Sequence, residues 1–518
     1  MARFPFVNVR ASLADVAGDD VIQAVCAARA ALAGGRPDRW LAAARRRLAW
    51  YPPAFHRRLL ALLPSVGRPV CPALPASARG ATTRAFAAAT ARGAAPLATL
   101  GLYRVGEDGR LYLASKSEHY HAPLGHGFPG YRLIETARRL GIPNATHNNT
   151  RGHLTRLLEE RLIAAARGLA ETDAAGLARA LAEPGPGLPN RVLNLETGSL
   201  AVEAGVKLML ARFYRMMPED PPPPYAGRTP VLLVMADDSG GLMANYHGTT
   251  MPTQILRGLW PEAAAGLAAG GLLRVHAIRA NAEAELEEAF ARYERPPFKV
   301  AGFLHEIVMM NYGARLLTPA FLQRAYALCA RHDVPTLADE IQSCLWAPGL
   351  FLYREYGLSP NLVAVGKGFP GGEYPASRLL LSAALDRLSQ FGALVTNGQE
   401  ELASLAYLVT MRWAQANEAV VRRLGDAFEE RVRALAARFP ARLAGVSGRR
   451  HLLGLAFHTL KDARAFAARL NADGLDISAQ TYKTDCPPVA LVKLPLTACE
   501  TILAWVVARM QAACEAKS

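Results

Sequence analysis

NLVAVGKGFPGGEYP, residues 361–375, decides the fold class: a short continuous apolar run stops abruptly at Lys367, which sits among glycines and prolines. A run of this length, apolar at every position, is the pattern of a strand covered on both faces. Four mainly apolar runs upstream read as further strands: VLLVMA (231–236), LLRVHAI (272–278), KVAGFLHEIV (299–308) and VPTLAD (334–339). Amphipathic segments such as PAFLQRAYALCARH (319–332) lie between them. Buried strands alternating with helices predict an α/β fold with a mainly parallel central sheet.

Outward from that sheet, the chain divides into four parts. Residues 191–400 carry the α/β domain, preceded by the loop PGPGLP (184–189). Residues 401–518 open with long helices, then give shorter strands at HLLGLAFH and VALVKLP and a final helix, ACETILAWVVARMQAAC. This part predicts a smaller α+β domain. Residues 96–190 are read as a further segment of it. Residues 1–95 form an Ala/Arg-rich extension, helical at VIQAVCAARAALAGG and WLAAARRRLAW and punctuated by the four prolines of PSVGRPVCPALP. Packing of this extension on the body or on a partner subunit is left open by its pattern.

A length of 518 residues exceeds what one core supports, consistent with this division. The net charge of +15 is uneven, because the first hundred residues hold fourteen arginines against four aspartates. No aromatic-interleaved basic motif or zinc-finger spacing accompanies it, so nucleic acid is not the expected partner. A basic surface for an anionic substrate or partner is the functional alternative to a merely solvated one. No apolar run reaches the length of a membrane span, and the start lacks the order of a secretory signal. Seven scattered cysteines without a C-x-x-C pair predict reduced thiols and a cytoplasmic setting.

Parallel α/β sheets hold ligands at the carboxyl ends of their strands. There the sequence places Asp339, Glu340 and Gln342 after VPTLAD, Lys367 after LVAVG, and Tyr246-His247-Gly248 in the loop after VLLVMA. Thr197-Gly198-Ser199 opens an apparent helix, and a helix N-terminus with glycine and hydroxyls favours a phosphate. Each has an ordinary explanation: a surface lysine, a capping aspartate, a turn. The histidines of SEHYHAPLGHG (117–127) and THNNTRGH (146–153) lack a metal-ligand pattern, and Asp237-Asp238-Ser239 reads as a turn. No metal is expected.

Taken in order, these segments resemble the class III aminotransferases, fold-type I enzymes that depend on pyridoxal 5′-phosphate (PLP). The resemblance covers roughly residues 100–510. TGSLAVEAGVKLMLAR is similar to the family's phosphate-binding segment, NYHGTT to its [FY]-H-G-x-T motif, and LADEIQS to D-E-[VI]-Q-[TS]. LVAVGKGFPGGEYP resembles its lysine motif, and TNGQEELA its T-x-G-x-x-x-L-A. The segment around SEHYHAPLGHG resembles the family's G-H-x-x-P substrate-access loop.

The resemblance implies PLP as cofactor and assigns roles to these positions. Lys367 would form the Schiff base with the aldehyde and then move the α-proton. Asp339 would keep the pyridine nitrogen protonated, and Gln342 would bond the phenolic oxygen. Tyr246 would stack on the ring, with His247 and Gly248 shaping the turn. Thr197, Gly198 and Ser199 would hold the phosphate, and Thr396 would reach the cofactor of the other subunit of a homodimer. An amino group would thus pass between an amino acid or amine and an oxo acid, ketone or aldehyde.

Four departures bear on the substrate. Leu200 stands where the family has a glutamate, and the Glu-Pro segment appears as Glu306-Ile307 after His305, with Met309 for the usual glutamine. CLWAPG (344–349) lacks the family's arginine, and LVKLPLT offers Lys493 in place of a carboxylate-binding arginine. Glu306 and Lys493 are the candidate substrate contacts. Two other outcomes stay open: an aminomutase, racemase or epimerase of the same family, and a non-catalytic protein binding an anionic partner through its basic extension.

Overall fold

The apolar runs become strands of one seven-stranded sheet in a computed structural model that describes residues 4–115, 122–480 and 487–516. In chain order the strands are β1 Arg191–Leu195, β2 Thr229–Ala236, β3 Arg274–Arg279, β4 Phe298–His305, β5 Thr336–Asp339, β6 Leu362–Val365 and β7 Ser377–Leu381. Their spatial order is β1-β7-β6-β5-β4-β2-β3. Pairings from β3 through β6 are parallel, whereas β7 runs antiparallel to both β6 and β1. The sheet is therefore mainly parallel, as its continuous apolar strands require.

Alternation along each strand separates two cores. Leu337, Leu362, Ala364 and Leu379 pack with helix Gly198–Leu210 on one face. Phe303, Val363, Val365 and Leu380 join the larger core on the other. Gly205 lets that helix approach the sheet, because a Cβ there would stand 2.3 Å from Leu337 Cδ1.

The strand expected over 299–308 is broken. β4 ends at His305, and Val308–Met309 pairs instead with Arg315–Leu316 in a two-stranded hairpin. The interruption frees Glu306 from the ladder at the carboxyl end of the sheet.

Strands Leu443–Arg449, Leu452–Phe457, Ser478–Ala479 and Val489–Lys493 form a four-stranded sheet in the C-terminal part. A second four-stranded sheet draws on both ends of the chain: Pro96–Leu100, Tyr103–Gly106 and Leu111–Ala114 are joined by Leu475–Asp476. The last pair is parallel, with Leu475 opposite Leu113. A buried Arg104–Asp476 ion pair at 2.5 Å ties the same two segments.

The N-terminal extension packs on the body. Helices Asp19–Ala33, Pro37–Arg45 and Pro53–Leu62 surround Trp50 and Tyr51, both fully buried. WLAAARRRLAW is helical only to Arg45, because Leu48–Ala49 turns into a strand against Arg10–Ala11. Tyr51 stacks on Phe128 (6.1 Å) and Phe6 meets Trp413 (5.5 Å). The proline-rich segment lies along the sheet edge, with Val66 and Pro69 bridging Leu111 and Arg110. Among the described residues, no helix is long and apolar enough to cross a membrane.

Candidate active site

The carboxyl ends of β1, β2, β4, β5 and β6 surround a cavity of about 510 Å³. Its wall includes Thr197, Gly198, Ser199, Tyr246, His247, Gly248, Glu306, Asp339, Gln342 and Lys367. Residues 170 positions apart in sequence thus meet at one place, where short apolar strands end and polar loops begin.

Asp339 is the last residue of β5 and is buried. Its Oδ2 lies 2.8 Å from His247 Nδ1, and its Oδ1 accepts the Ile341 amide at 3.1 Å. The carboxylate is thereby fixed in orientation, with lone pairs left for a ligand in the cavity. Burial pushes the neighbouring Glu340 carboxyl up to about 7, although Ser343 Oγ and the Tyr353 amide donate to it at 2.5 and 2.7 Å. On β4, burial drives His305 down to about 3, so it is a neutral ring, 2.9 Å from Tyr326 Oη through Nε2.

Lys367 follows β6 by two residues with a φ of +29°, a conformation that side chains rarely adopt. Gly366 before it has no room for a Cβ, which would lie 2.2 Å from Ser377 Oγ. The chain is bent tightly here, and the lysine stands at the cavity wall.

Thr197 caps helix Gly198–Leu210 by accepting the Leu200 amide on Oγ1 at 3.4 Å. The helix dipole and first-turn N–H groups point at the cavity. Ser199 Oγ accepts the Thr249 amide at 3.1 Å, tying the helix to the Tyr246-His247-Gly248 loop. Gly248 has φ +143°, and a Cβ there would lie 2.7 Å from Ser199 Cα. Arg257 lies over the Tyr246 ring at 5.1 Å.

Two expected site residues stand outside the lining. Lys493 is fully buried behind Gln342, donating to its backbone carbonyl at 2.7 Å and its Oε1 at 3.2 Å, with Nζ 4.0 Å from the Trp346 ring. It holds Gln342 from behind and does not border the cavity. Thr396 is exposed and lies apart from the cavity wall. Of the candidate access-loop histidines, His119 and His121 lie outside the described residues. His126 pairs with Gly101 through backbone bonds of 2.7 and 2.9 Å. Asp237 is a turn residue, its carboxylate accepting the amides of Ser239, Gly241 and Met243. No metal-binding group of three or more His, Cys, Asp or Glu occurs among the described residues.

Sequence reading missed Glu196, Ile341, Glu373, Tyr374 and Ser377, which also line the cavity. Glu196 and Ile341 neighbour residues that were singled out, whereas Glu373, Tyr374 and Ser377 follow Lys367 by six to ten positions. Ile341 is informative: its Cδ1 would lie 2.8 Å from a Cβ at Gly198 and 3.2 Å from one at Gly366. Both glycines thus make room for one apolar side chain beneath the cavity.

A family model for the class-III aminotransferases matches residues 151–508. The ornithine aminotransferase of Emericella nidulans is 30% identical over 201 residues, 36% of this chain and 40% of that protein. The 5-aminovalerate aminotransferase of Pseudomonas aeruginosa is 29% identical over 248 residues, 42% of this chain and 53% of the other. The chain therefore spans about half the length of the curated relatives it matches. Among solved structures, an ornithine aminotransferase of Toxoplasma gondii with partial occupancy of PLP at its active site superposes with a TM-score of 0.63. That match has 20% identity and covers 84% of this chain and 94% of the other, a likeness of fold.

Proposed function

We propose a function from one premise: the chain belongs to the class III aminotransferases. It is a PLP-dependent enzyme that moves an amino group between an amino compound and an oxo acid, ketone or aldehyde. One observation carries this reading: an amine (Lys367), a fixed buried carboxylate (Asp339) and a helix N-terminus (Gly198–Ser199) open on a single cavity. The residues fit the cofactor. The cavity lies within the size range of cofactor sites, and its wall sets the apolar Ile341 beside the amine, carboxylate and helix N-terminus that an aromatic aldehyde phosphate needs.

When bound, PLP supplies an aldehyde that exchanges amines and a ring that accepts electrons. Gly198 and Ser199, with Thr197 capping the helix, hold the phosphate by N–H groups, a hydroxyl and the helix dipole. Asp339 keeps a proton on the pyridine nitrogen, its charge supported by the His247 Nδ1 contact. Lys493 occupies Gln342 Oε1, so the amide Nε2 is left to donate to the ring's phenolic oxygen. Tyr246 covers one ring face. Lys367 Nζ would be the amine that holds the cofactor in the resting enzyme and, once released, the base that accepts and returns the substrate's α-proton. Glu306 faces the incoming substrate. Thr396, exposed in the single chain, would reach a partner's cofactor in a homodimer, as the resemblance implies. Six free thiols among the described residues suit a reducing, cytoplasmic setting.

Absorbance spectroscopy of the purified, cofactor-loaded protein tests the reading. We expect the visible band of a lysine-linked cofactor, absent from Lys367→Ala, and its bleaching by at least one amine of a panel without any acceptor. A persistent band with product still formed would favour the isomerase outcome. No band after loading would overturn the proposal.

A further inference from the structure

A second concave site lies beside the cavity and has an unusual charge. Its volume is about 590 Å³, and Arg46, Arg132, Arg138 and Arg139 line it with Glu135 as the one carboxylate. The sequence places these groups together from two directions. On the exposed side of helix Arg132–Arg139, Arg132, Glu135 and Arg139 recur at three- and four-residue spacing, while Leu133, Ile134 and Ala137 are buried beneath. Arg46 comes from the N-terminal extension, at the end of helix Pro37–Arg45, which packs against helix Arg132–Arg139.

The neighbours of Arg46 are neutralised and Arg46 is not. Arg45 pairs with Asp19 at 2.5 Å and Arg47 with Asp15 at 3.0 Å. Among the described residues, Arg46, Arg132 and Arg139 have no carboxylate within ion-pair distance. Four arginines face the groove against the single carboxylate of Glu135, and their remaining mutual repulsion is relieved when an anion enters.

Arg138 connects the groove to the cavity. Its Nη2 donates to Tyr374 Oη at 2.5 Å and its guanidinium lies 5.8 Å from that ring, while Tyr374 lines the cavity of Lys367. The two spaces are therefore joined by one contact pair, with Arg138 lining the groove and Tyr374 lining the cavity.

We propose that the groove of Arg46, Arg132, Arg138 and Arg139 is an anion subsite annexed to the candidate active site, taking a phosphate group at the far end of the amino or oxo substrate. The proposal rests on the amino-transfer reading and specifies its substrate class. Phosphate is favoured over carboxylate because it presents a third free oxygen and more charge to several guanidinium forks at once. The subsite also gives the extension a function, since Arg46 belongs to residues 1–95.

Calorimetric titration of the cofactor-loaded protein with inorganic pyrophosphate is the first arm of the test. With the cofactor's own phosphate site filled, we expect saturable binding that weakens at high salt. It should weaken about tenfold in Arg46→Gln/Arg139→Gln, the scale of lost charge-assisted hydrogen bonds. Arg132→Gln, also on the exposed helix side, is a second variant should the first not fold. No binding by the parent protein, or equal binding by the variants, overturns the proposal.

In the second arm, ω-aminoalkyl phosphates and ω-aminoalkanols of matched length are compared as agents that bleach the visible band. A phosphate preference at some chain length, collapsing in the double variant, ties the groove to the cavity. Pyrophosphate binding with equal bleaching by both series would mean a site for free anions only and would overturn the proposal, leaving amino transfer intact. If no amine bleaches the band, amino transfer falls and the substrate subsite falls with it, whatever the pyrophosphate result.

Discussion

Asp339 and Glu340 are adjacent carboxyls at one strand end, and their surroundings give them different chemistry. Asp339 faces the cavity with a histidine at 2.8 Å, whereas Glu340 points into protein and is pushed up to about 7 by burial. A carboxyl raised above its ordinary 4.5 keeps a proton in the folded state that the unfolded chain has released. Its contribution to stability is therefore whole below that value and is lost as pH rises toward 7. His305 and His451 act in the opposite sense over part of this range. Burial lowers them to about 3 and about 4, so the unfolded chain binds protons below 6.5 that the folded one refuses. A melting curve of the parent protein alone would blend these effects, but a difference isolates one. The melting temperature of Glu340→Gln, relative to the parent, should rise as pH is raised from 5 to 8. A difference that stays constant with pH would show that Glu340 does not titrate in this window.

At the scale of elements, the cavity depends on a loop crossing a helix start. The Tyr246-His247-Gly248 turn passes so close to Ser199 that a Cβ at position 248 would meet its Cα at 2.7 Å, and the φ of +143° is itself adverse for a side chain. Gly248→Ala should force the turn off the helix N-terminus, disturbing both the Ser199–Thr249 tie and the His247–Asp339 contact. We expect weaker PLP affinity, at least several-fold by fluorescence titration of the apoprotein, with the far-ultraviolet spectrum retained. Unchanged affinity would show that the turn can shift without cost. The sequence made the loop visible, because tyrosine, histidine and glycine follow a buried strand. It also exposed five of the seven strands of the sheet, β3 among them although Arg274 and His276 stand within it. β1 and β7 escaped: each is five residues long and carries a polar residue inside it, Asn194 in RVLNL and Arg378 in SRLLL. Arg378 is fully buried, bonding Leu195 and Ser377 carbonyls and lying over the Tyr407 ring, a compensation that only tertiary structure reveals. The surroundings of Lys493 were hidden for the same reason. A lysine at a strand end reads as a substrate contact until its carbonyl partner, Gln342, is seen in front of it.

At the scale of the molecule, the extension is where local pattern says least. Alanine and arginine give helices with little apolar face, and such helices gain their stability from what they pack on. Here that surface is aromatic. Phe4 and His56 pack on Phe6 and Tyr51, and these two meet Trp413 and Phe128, with ring centroids 5.3 to 6.1 Å apart. Asn417 at the end of helix Glu401–Ala416 accepts the Val7 amide at 2.7 Å, and Arg412 donates to the Asp15 carbonyl at 2.9 Å. The extension is thus a wall of the larger core, joined to the same helix that follows the Thr396 segment. Trp50 is the most telling residue of that wall: it is fully buried, and its indole N–H donates to the Ala11 carbonyl at 3.3 Å. Trp50→Ala should cost about 3–5 kcal/mol by the lost burial and the cavity left behind. Urea unfolding of the cofactor-loaded protein checks this, and the loss should appear in one cooperative transition. A separate early transition, with the visible band still present after it, would mean that the extension unfolds by itself and that Arg46 is carried by an appendage. A single transition would mean that the fold which carries Lys367 also fixes Arg46 at the groove.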